Sequence, residues 1–327
     1  MRTQQIGNTP LETTRIIYGC MNIAAGMEDE DLADEDKKKE ARISLNAALE
    51  QGINIFDHAD IYGKGKSEEV FSGIWNDHPN LREKVFLQSK CGIRFAGDSG
   101  PDAPHRFDFS YVHIINSVNG SLRRLKTEHL DVLLLHRPDP LVEPEEVAKA
   151  FDELYSSGKV RYFGVSNHSA SQIQLLKKYL NQPIIVNQME LNLLHSDLIN
   201  AGVVSNQRQP GAMIRGDDTL EYCRLNNITI QAWSPLAKGV LSWHEREQHD
   251  PRIRKAAAVV NITAREKGVP PETILVAWLL RHPAEIQPVI GTTNPERIAA
   301  SCLADYIELS REEWFRLFIA GRGEDIP

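Results

Sequence analysis

Several short apolar runs in this chain stop at polar residues that can do chemistry. "NIFD" ends on Asp57, "VFLQSK" on Lys90 and "DVLLLH" on His136; "RYFGVS" leads into Ser166 and Asn167, and "IIVNQ" ends on Gln188. Tyr62 follows Asp57 closely, in a loop rich in Gly and Lys. An acid, an ammonium and a phenol can share one task, proton donation. A free phenol has a pKa of roughly 10 and is a weak acid near neutrality. A neighbouring ammonium favours the phenolate and lowers that value, and a carboxylate would hold the ammonium in place and charged. His136 would then orient or polarise a carbonyl oxygen. General acid catalysis of this kind is worth about 10² to 10⁴ in rate. Taken singly, Asp57 could cap a turn, Lys90 could leave the sheet for solvent and His136 could be a core histidine. Their joint occurrence weakens all three explanations, because buried ionisable groups are rare unless paired.

Such residues meet only if the strands that carry them end on one face. Strand candidates are "RIIYG" (Arg15 to Gly19), "NIFD" (Asn54 to Asp57), "VFLQSK" (Val85 to Lys90) and "DVLLLH" (Asp131 to His136). "RYFGVS" (Arg161 to Ser166), "IIVNQ" (Ile184 to Gln188), "TIQAW" (Thr229 to Trp233) and "QPVIG" (Gln287 to Gly291) continue the series. Amphipathic helical patterns separate them. After Ser110, a good N-cap, Val112, Ile115, Val118, Leu122 and Leu125 predict one apolar stripe. "PEEVAKAFDELYSSGK" opens on Pro144 and two acids, and Gly158 can close it in a left-handed cap. This alternation, without a linker or a shift in composition, predicts a single-domain (β/α)₈ barrel over residues 1–327. A doubly wound sheet is disfavoured, since no GxGxxG follows the first strand. The long segments Cys91 to Phe109 and Trp233 to Arg252 follow strand ends, where barrel active sites are built.

With 327 residues there is chain enough for a large core. Lys+Arg 37 against Asp+Glu 45 gives a net charge of −8, which argues against nucleic-acid or anionic-membrane partners. Cys20, Cys91, Cys223 and Cys302 are scattered, without a CxxC pair or zinc spacing, as expected of a reduced, cytoplasmic protein. No signal peptide or membrane-length apolar run is visible. "MEDEDLADEDKKKEAR" (Met27 to Arg42) reads as a solvated first helix, with acids at its start and lysines after them.

Several of these motifs together resemble the aldo-keto reductases, over nearly the whole chain. "GINIFDHADIYG", "SKCG", "DVLLLHRPDP" and "GKVRYFGVSNHS" are similar to that family's motifs, in the family's order. "DHADIYG", "SKCGI" and "HRPDPL" look most like the bacterial YdhF-like oxidoreductases. The resemblance implies a catalytic set of Asp57, Tyr62, Lys90 and His136, with hydride passing from a nicotinamide to an aldehyde or ketone without metal or flavin. It implies that Ser166, Asn167 and Gln188 hold the carboxamide, with Asp57 close by. Trp233 would stack on the nicotinamide ring, and Ser234, Leu236 and Lys238 of "WSPLAKGVL" would contact the pyrophosphate. Gly19 and Met21 would line the same cleft. Thr292 and Arg297 of "VIGTTNPERIAAS" match contacts to the adenosine 2′-phosphate, at a helix start that favours an anion. Gly291 stands where many members carry lysine, and Ala300 and Ser301 replace a Glu-Asn pair beside the adenine. NADP(H) is therefore the expected cofactor and NAD(H) the lesser expectation. Arg94, Phe95, His105, Phe107, Trp314 and Phe315 are candidate pocket walls or ordinary packing residues. Two other functions compete: a cofactor-binding regulatory subunit with little turnover, and a lyase using Lys90 as a Schiff-base nucleophile.

Overall fold

The computed structural model describes residues 1–24, 35–204, 218–242 and 250–327. Eight strands run parallel and close into a barrel. They are β1 (Ile17–Gly19), β2 (Ile55–Asp57), β3 (Phe86–Cys91), β4 (Leu130–Leu135), β5 (Val160–Ser166), β6 (Ile184–Glu190), β7 (Thr229–Trp233) and β8 (Gln287–Ile290). Each pairs with the next, and β8 returns to β1 through Val289–Ile17 and Ile290–Tyr18. The strands fall where the β-branched runs predict them, and helices occupy the intervals between them.

The alternation of side chains along a strand explains where the polar ends go. Ile17, Ile55, Val132, Leu134, Val186 and Val289 form one apolar cluster within the barrel. Asp57 lies two residues beyond Ile55, His136 two beyond Leu134, and Gln188 two beyond Val186. Residues two apart on a strand share a face, so these side chains sit at the same end of the barrel. Gly164 on β5 leaves room for that layer. A Cβ there would approach Leu134 Cδ2 to 2.6 Å and Val186 O to 2.8 Å.

The other end is closed by a hairpin that the strand pattern does not predict. Thr3–Gln5 pairs antiparallel with Glu12–Thr14, and between them Ile6 and Leu11 join the barrel's apolar cluster. A second small hairpin, Ile93–Arg94 with Arg106–Phe107, structures the long segment after β3.

Ser110 does cap the helix Tyr111–Leu125, accepting from the His113 amide. The buried stripe differs from the expected one: Ile114, Val118, Ser121, Leu122 and Leu125 face inward, whereas Val112 is 63 % exposed. The helix Pro144–Ser156 starts at its proline, and Gly158 follows at φ 73°. The first helix spans Glu35–Glu50, with Glu35 and Asp36 in its first turn. Residues 27–34 of the predicted solvated helix lie outside the described residues. Lys38 and Lys39 fall early in a helix of 16 residues, whose last turn carries no basic residue. The dipole argument therefore holds for the acids and not for the lysines. Trp314 and Phe315 also leave the candidate site. Trp314 stacks on the fully buried Trp278 at 5.3 Å, donates its indole N–H to the Trp278 carbonyl and packs against Phe315. All four cysteines are buried and free.

Candidate active site

Lys90 is the hub of the strand-end cluster. Its Nζ donates to Asp57 Oδ2 at 2.7 Å, to the His58 carbonyl at 2.8 Å and to Tyr62 Oη at 2.9 Å. All three ammonium protons are thus directed. The side chains of Lys90 and Asp57 are almost completely buried, while Tyr62 and His136 are half-buried at the mouth. The Tyr62 and His136 rings meet edge to face, 5.9 Å apart.

Backbone pairing beyond the strands sets this register. The His58 amide donates to the Gln88 carbonyl and the Asp60 amide to the Lys90 carbonyl, so the segment after β2 stays alongside β3. The chain then turns: the Tyr62 amide donates to the Ala59 carbonyl, and Gly63, Lys64 and Gly65 all take positive φ. Glycine suits position 65, where φ is 92° and a Cβ would lie 2.7 Å from Arg124 Cδ and Nε, so that the arginine would have to shift. The helix Lys66–Phe71 follows, anchored by the buried Glu68. Glu68 accepts from Ser89 Oγ and from Arg124 Nε. On the opposite wall, the His136 amide donates to the Cys91 carbonyl and extends the β3–β4 ladder by one residue.

Electrostatics sort the group into roles. Burial alone would pull the Lys90 ammonium down, but Asp57 and Tyr62 together hold it above the ordinary lysine value. Burial pushes the Tyr62 phenol up, and the Lys90 ammonium draws it partly back. The expected tuning by lysine is present, and desolvation outweighs it. Burial, then Lys90 and Arg137, hold His136 well below the usual histidine range. It is a neutral imidazole near neutrality, able to donate from one ring nitrogen. Its Nδ1 is buried without a hydrogen-bond partner. His58 is likewise neutral, lowered to about 3 by burial and by Lys90. Burial pushes the Asp60 carboxyl up to about 7.

The residues expected to hold a cofactor form a connected rim. Ser166 Oγ donates to the Gln188 carbonyl and accepts from Asn167 Nδ2, and Asn167 Oδ1 accepts from the Trp233 indole at 3.1 Å. Asn167 takes a positive φ of 60°, which Asn tolerates better than most residues. Gln188 Nε2 donates to Asp57 Oδ1 and to Gln231 Oε1. Its Oε1 therefore remains available as an acceptor beside the rim. The loop after β7 is conformationally unusual. Ser234, Ala237 and Lys238 all have positive φ, and Gly239 follows at 82°. Such backbone costs about 1–3 kcal/mol per residue and clusters at ligand clamps. The amides of Leu236 and Lys238 have no acceptor among the described residues. Residues 243–249 of this long segment lie outside the described ones.

Gly19 pairs with Asp57 across β1 and β2, and Met21 is 54 % exposed just beyond it. Asn22 Nδ2 donates to the Gly291 carbonyl and ties this segment to the end of β8. Thr292 Oγ1 accepts from the Asn294 amide, and Asn294 caps the helix Pro295–Cys302 by accepting from the Arg297 amide. The helix thus begins at Pro295, two residues before Arg297. Ser301 shares the buried stripe of that helix with Ile298 and Cys302, and its hydroxyl is enclosed without a partner among the described residues.

Gln88 and Gln231 belong to the site, although they were not among the expected residues. Gln88 Nε2 donates to Asp57 Oδ1 at 2.6 Å and to Gln231 Oε1 at 2.8 Å. The available signal was an amide in the middle of a buried strand, in "FLQSK" and "TIQAW". Of the candidate walls, Phe95, His105 and Phe107 form an aromatic row, and Arg94 pairs with Asp108 at 3.0 Å. Arg137 lies 5.5 Å over the Trp233 ring. A polar cleft of about 570 Å³ lined by Gln5, Cys223, Thr229 and Glu285 opens at the opposite end, where β7 begins. The chemistry-bearing side chains converge at the other end of the strands, and we place the site there. Among the described residues no cluster of His, Cys, Asp and Glu could hold a metal ion, and no helix could cross a membrane.

Comparison with known proteins agrees with this geometry. The chain is 35 % identical to a 6-dehydroglucose reductase of Agrobacterium fabrum over 97 % of each chain. It is 36 % identical to the oxidoreductase YdhF of Escherichia coli, over 85 % of this chain and 86 % of that protein. The glycerol dehydrogenase of Gluconobacter oxydans has the same fold, with a TM-score of 0.81 at 23 % identity, over 99 % of this chain and 97 % of that one. The Aldo/keto reductase family pattern matches residues 15–319, and the chain belongs to that family of oxidoreductases.

Proposed function

We propose that the protein reduces an aldehyde or ketone to the alcohol with NADPH, Tyr62 giving the proton to the carbonyl oxygen. The observation that carries this reading is the tripod of Lys90, which ties the Tyr62 hydroxyl to a buried, carboxylate-held ammonium. As the phenol loses its proton, the adjacent ammonium stabilises the phenolate without solvent reorganisation. His136, held neutral, donates to the same carbonyl oxygen and orients it. When bound, the nicotinamide supplies the hydride for the carbonyl carbon.

This chain's residues suit that cofactor. Gln188 Oε1 is free to accept from a carboxamide, with Ser166 and Asn167 fixing the rim around it. Trp233, steadied by Asn167 and Arg137, offers a ring face for stacking. Ser234, Leu236 and Lys238 form the phosphate-binding turn, and Gly19 and Met21 line the opposite side. Thr292 and Arg297 take the 2′-phosphate. Lys90 is a poor Schiff-base nucleophile, because its nitrogen is held protonated and its three protons are committed. The likeness to a 6-dehydroglucose reductase puts aldehydes of oxidised sugars first among substrates to try.

The test is Tyr62→Phe, followed by NADPH oxidation with a panel of aldehydes, ketones and sugar aldehydes. Turnover should fall by about 10² or more, in kcat and kcat/KM together, with cofactor affinity unchanged. Retention of more than about a tenth of the activity would remove Tyr62 from the acid role.

A further inference from the structure

Four glutamines from four strands fill the lumen beneath the site: Gln88 on β3, Gln188 on β6, Gln231 on β7 and Gln287 on β8. All are at most 2 % exposed. Their amides hydrogen-bond to one another, Gln88 and Gln231 reciprocally. Gln287 Nε2 donates to Thr13 Oγ1 at 2.9 Å and to the Thr14 carbonyl at 3.1 Å. Gln231 Nε2 donates to Gln287 Oε1 at 3.4 Å and to Gln88 Oε1 at 3.1 Å. Gln231 Oε1 accepts from Gln88 Nε2 and Gln188 Nε2, and both of those nitrogens also donate to Asp57 Oδ1.

The ends of this network fix every amide within it. A backbone carbonyl can only accept, so Gln287 must present its nitrogen to Thr14 and its oxygen to Gln231. An ionised carboxylate can only accept, so Gln88 and Gln188 must present their nitrogens to Asp57. Gln231, caught between, has one orientation that satisfies both sides. Reversing any single amide would face oxygen with oxygen or nitrogen with nitrogen in a dry interior, where an unmet polar group is costly.

We propose that Gln88, Gln231 and Gln287 are positioning residues, which set the Asp57 carboxylate and the Gln188 amide from the floor of the barrel. The proposal rests on the proton-donation reading above. Two amide donors occupy Oδ1, so Oδ2 is the oxygen left to face Lys90, and Lys90 in turn holds Tyr62. The same network spends both Gln188 protons and leaves its Oε1 as the group facing the cleft. The N-terminal hairpin thereby reaches the chemistry through Thr13 and Thr14, although it lies at the far end of the strands. A packing role alone would be filled as well by an aliphatic side chain, as it is at Leu134 and Val289 in the same lumen.

Gln88→Met keeps the length of the side chain and removes both its donors and its acceptor. Displacing a catalytic group by about 1 Å costs up to about 10²-fold. We expect kcat to fall about tenfold, with the NADPH dissociation constant changed less than about twofold. Gln287→Met touches neither Asp57 nor Gln188, and carries the same test if Gln88→Met does not fold. In the cofactor-free protein it should shift or broaden the side-chain amide NMR signals of Gln188, assigned by their loss in the Gln188→Met variant. A normal kcat in Gln88→Met, or unmoved amide signals in Gln287→Met, would overturn the proposal. The two readings fail separately. An active Tyr62→Phe with shifted amide signals defeats proton donation and leaves the amide network standing; an inactive Tyr62→Phe with a normal Gln88→Met defeats the network alone.

Discussion

Replacing Lys90 by Met should damage stability as well as activity, and a second substitution should separate the two. The Lys90 and Asp57 side chains are 0 % and 3 % exposed, so neither charge is relieved by water. Lys90→Met strands the carboxylate with two amide donors and leaves the His58 carbonyl without its 2.8 Å donor. Breaking a buried ion pair from one side costs about 3–5 kcal/mol, against a total stability of about 5–15 kcal/mol. Lys90→Met/Asp57→Asn removes the stranded charge, while the Asn carbonyl oxygen can still accept from Gln88 and Gln188. The double variant should therefore recover most of that loss, short of the about 1–3 kcal/mol for the unmet His58 carbonyl, and remain inactive. Urea unfolding followed by tryptophan fluorescence measures both. The pH dependence has a definite sign. Lys90 is raised in the folded state, so its contribution is complete below the unfolded lysine value and fades as pH climbs through the folded one. The gap between wild type and Lys90→Met should thus be flat through neutrality and narrow only above about pH 10. A double variant no more stable than Lys90→Met would refute the pairing argument.

Arg297→Met should weaken NADPH binding by about one to two powers of ten and leave NADH nearly unaffected, since a charge-assisted hydrogen bond is worth about 1.5–3 kcal/mol. Quenching of tryptophan fluorescence reads both constants, and equal weakening would place the 2′-phosphate elsewhere. Asp60→Asn should stabilise the protein above pH 7 and lose that advantage near pH 4, because burial raises the carboxyl from 3.8 to about 7, with Ser117 and Arg124 opposing and Glu68 assisting. The gain is at most about 4 kcal/mol, and thermal melting across pH checks it; a gain that grows toward acid would reverse the assignment.

The barrel was legible because its strands are short, largely buried β-branched runs between helices with recognisable caps. Ser110 and Pro144 mark helix starts through local chemistry alone, and both are where the sequence places them. What escaped depends on partners distant in sequence. "TQQ" and "ETT" are too short and too polar to read as strands, and they pair because Ile6 and Leu11 close the barrel floor. The stripe of Tyr111–Leu125 was misphased at its start. Small Ser121 can be buried there, and exposed Val112 can be spared, so apolar character alone chose the wrong rows.

The same distinction governs the site. Asp57, Lys90 and His136 stand out since each interrupts an apolar run at its end, where a strand meets the cleft. Gln88 and Gln231 interrupt such runs in the middle, where a lone amide looks like filler until its partners on other strands are known. Matching position to position also ignores helix phase, which turns Ser301 inward with Ile298 and Cys302. A charged cluster in a dry barrel needs donors beneath it as well as a mouth above it. The apolar part of the lumen, with Leu134 and Val289, excludes water and strengthens each interaction of Lys90. It also makes an unmet carboxylate lone pair expensive, and the amides of Gln88 and Gln188 meet that need. Polar residues inside the barrel are therefore part of the chemistry at its rim: without them, the burial that tightens the Lys90–Tyr62 contact would destabilise the acid that sustains it.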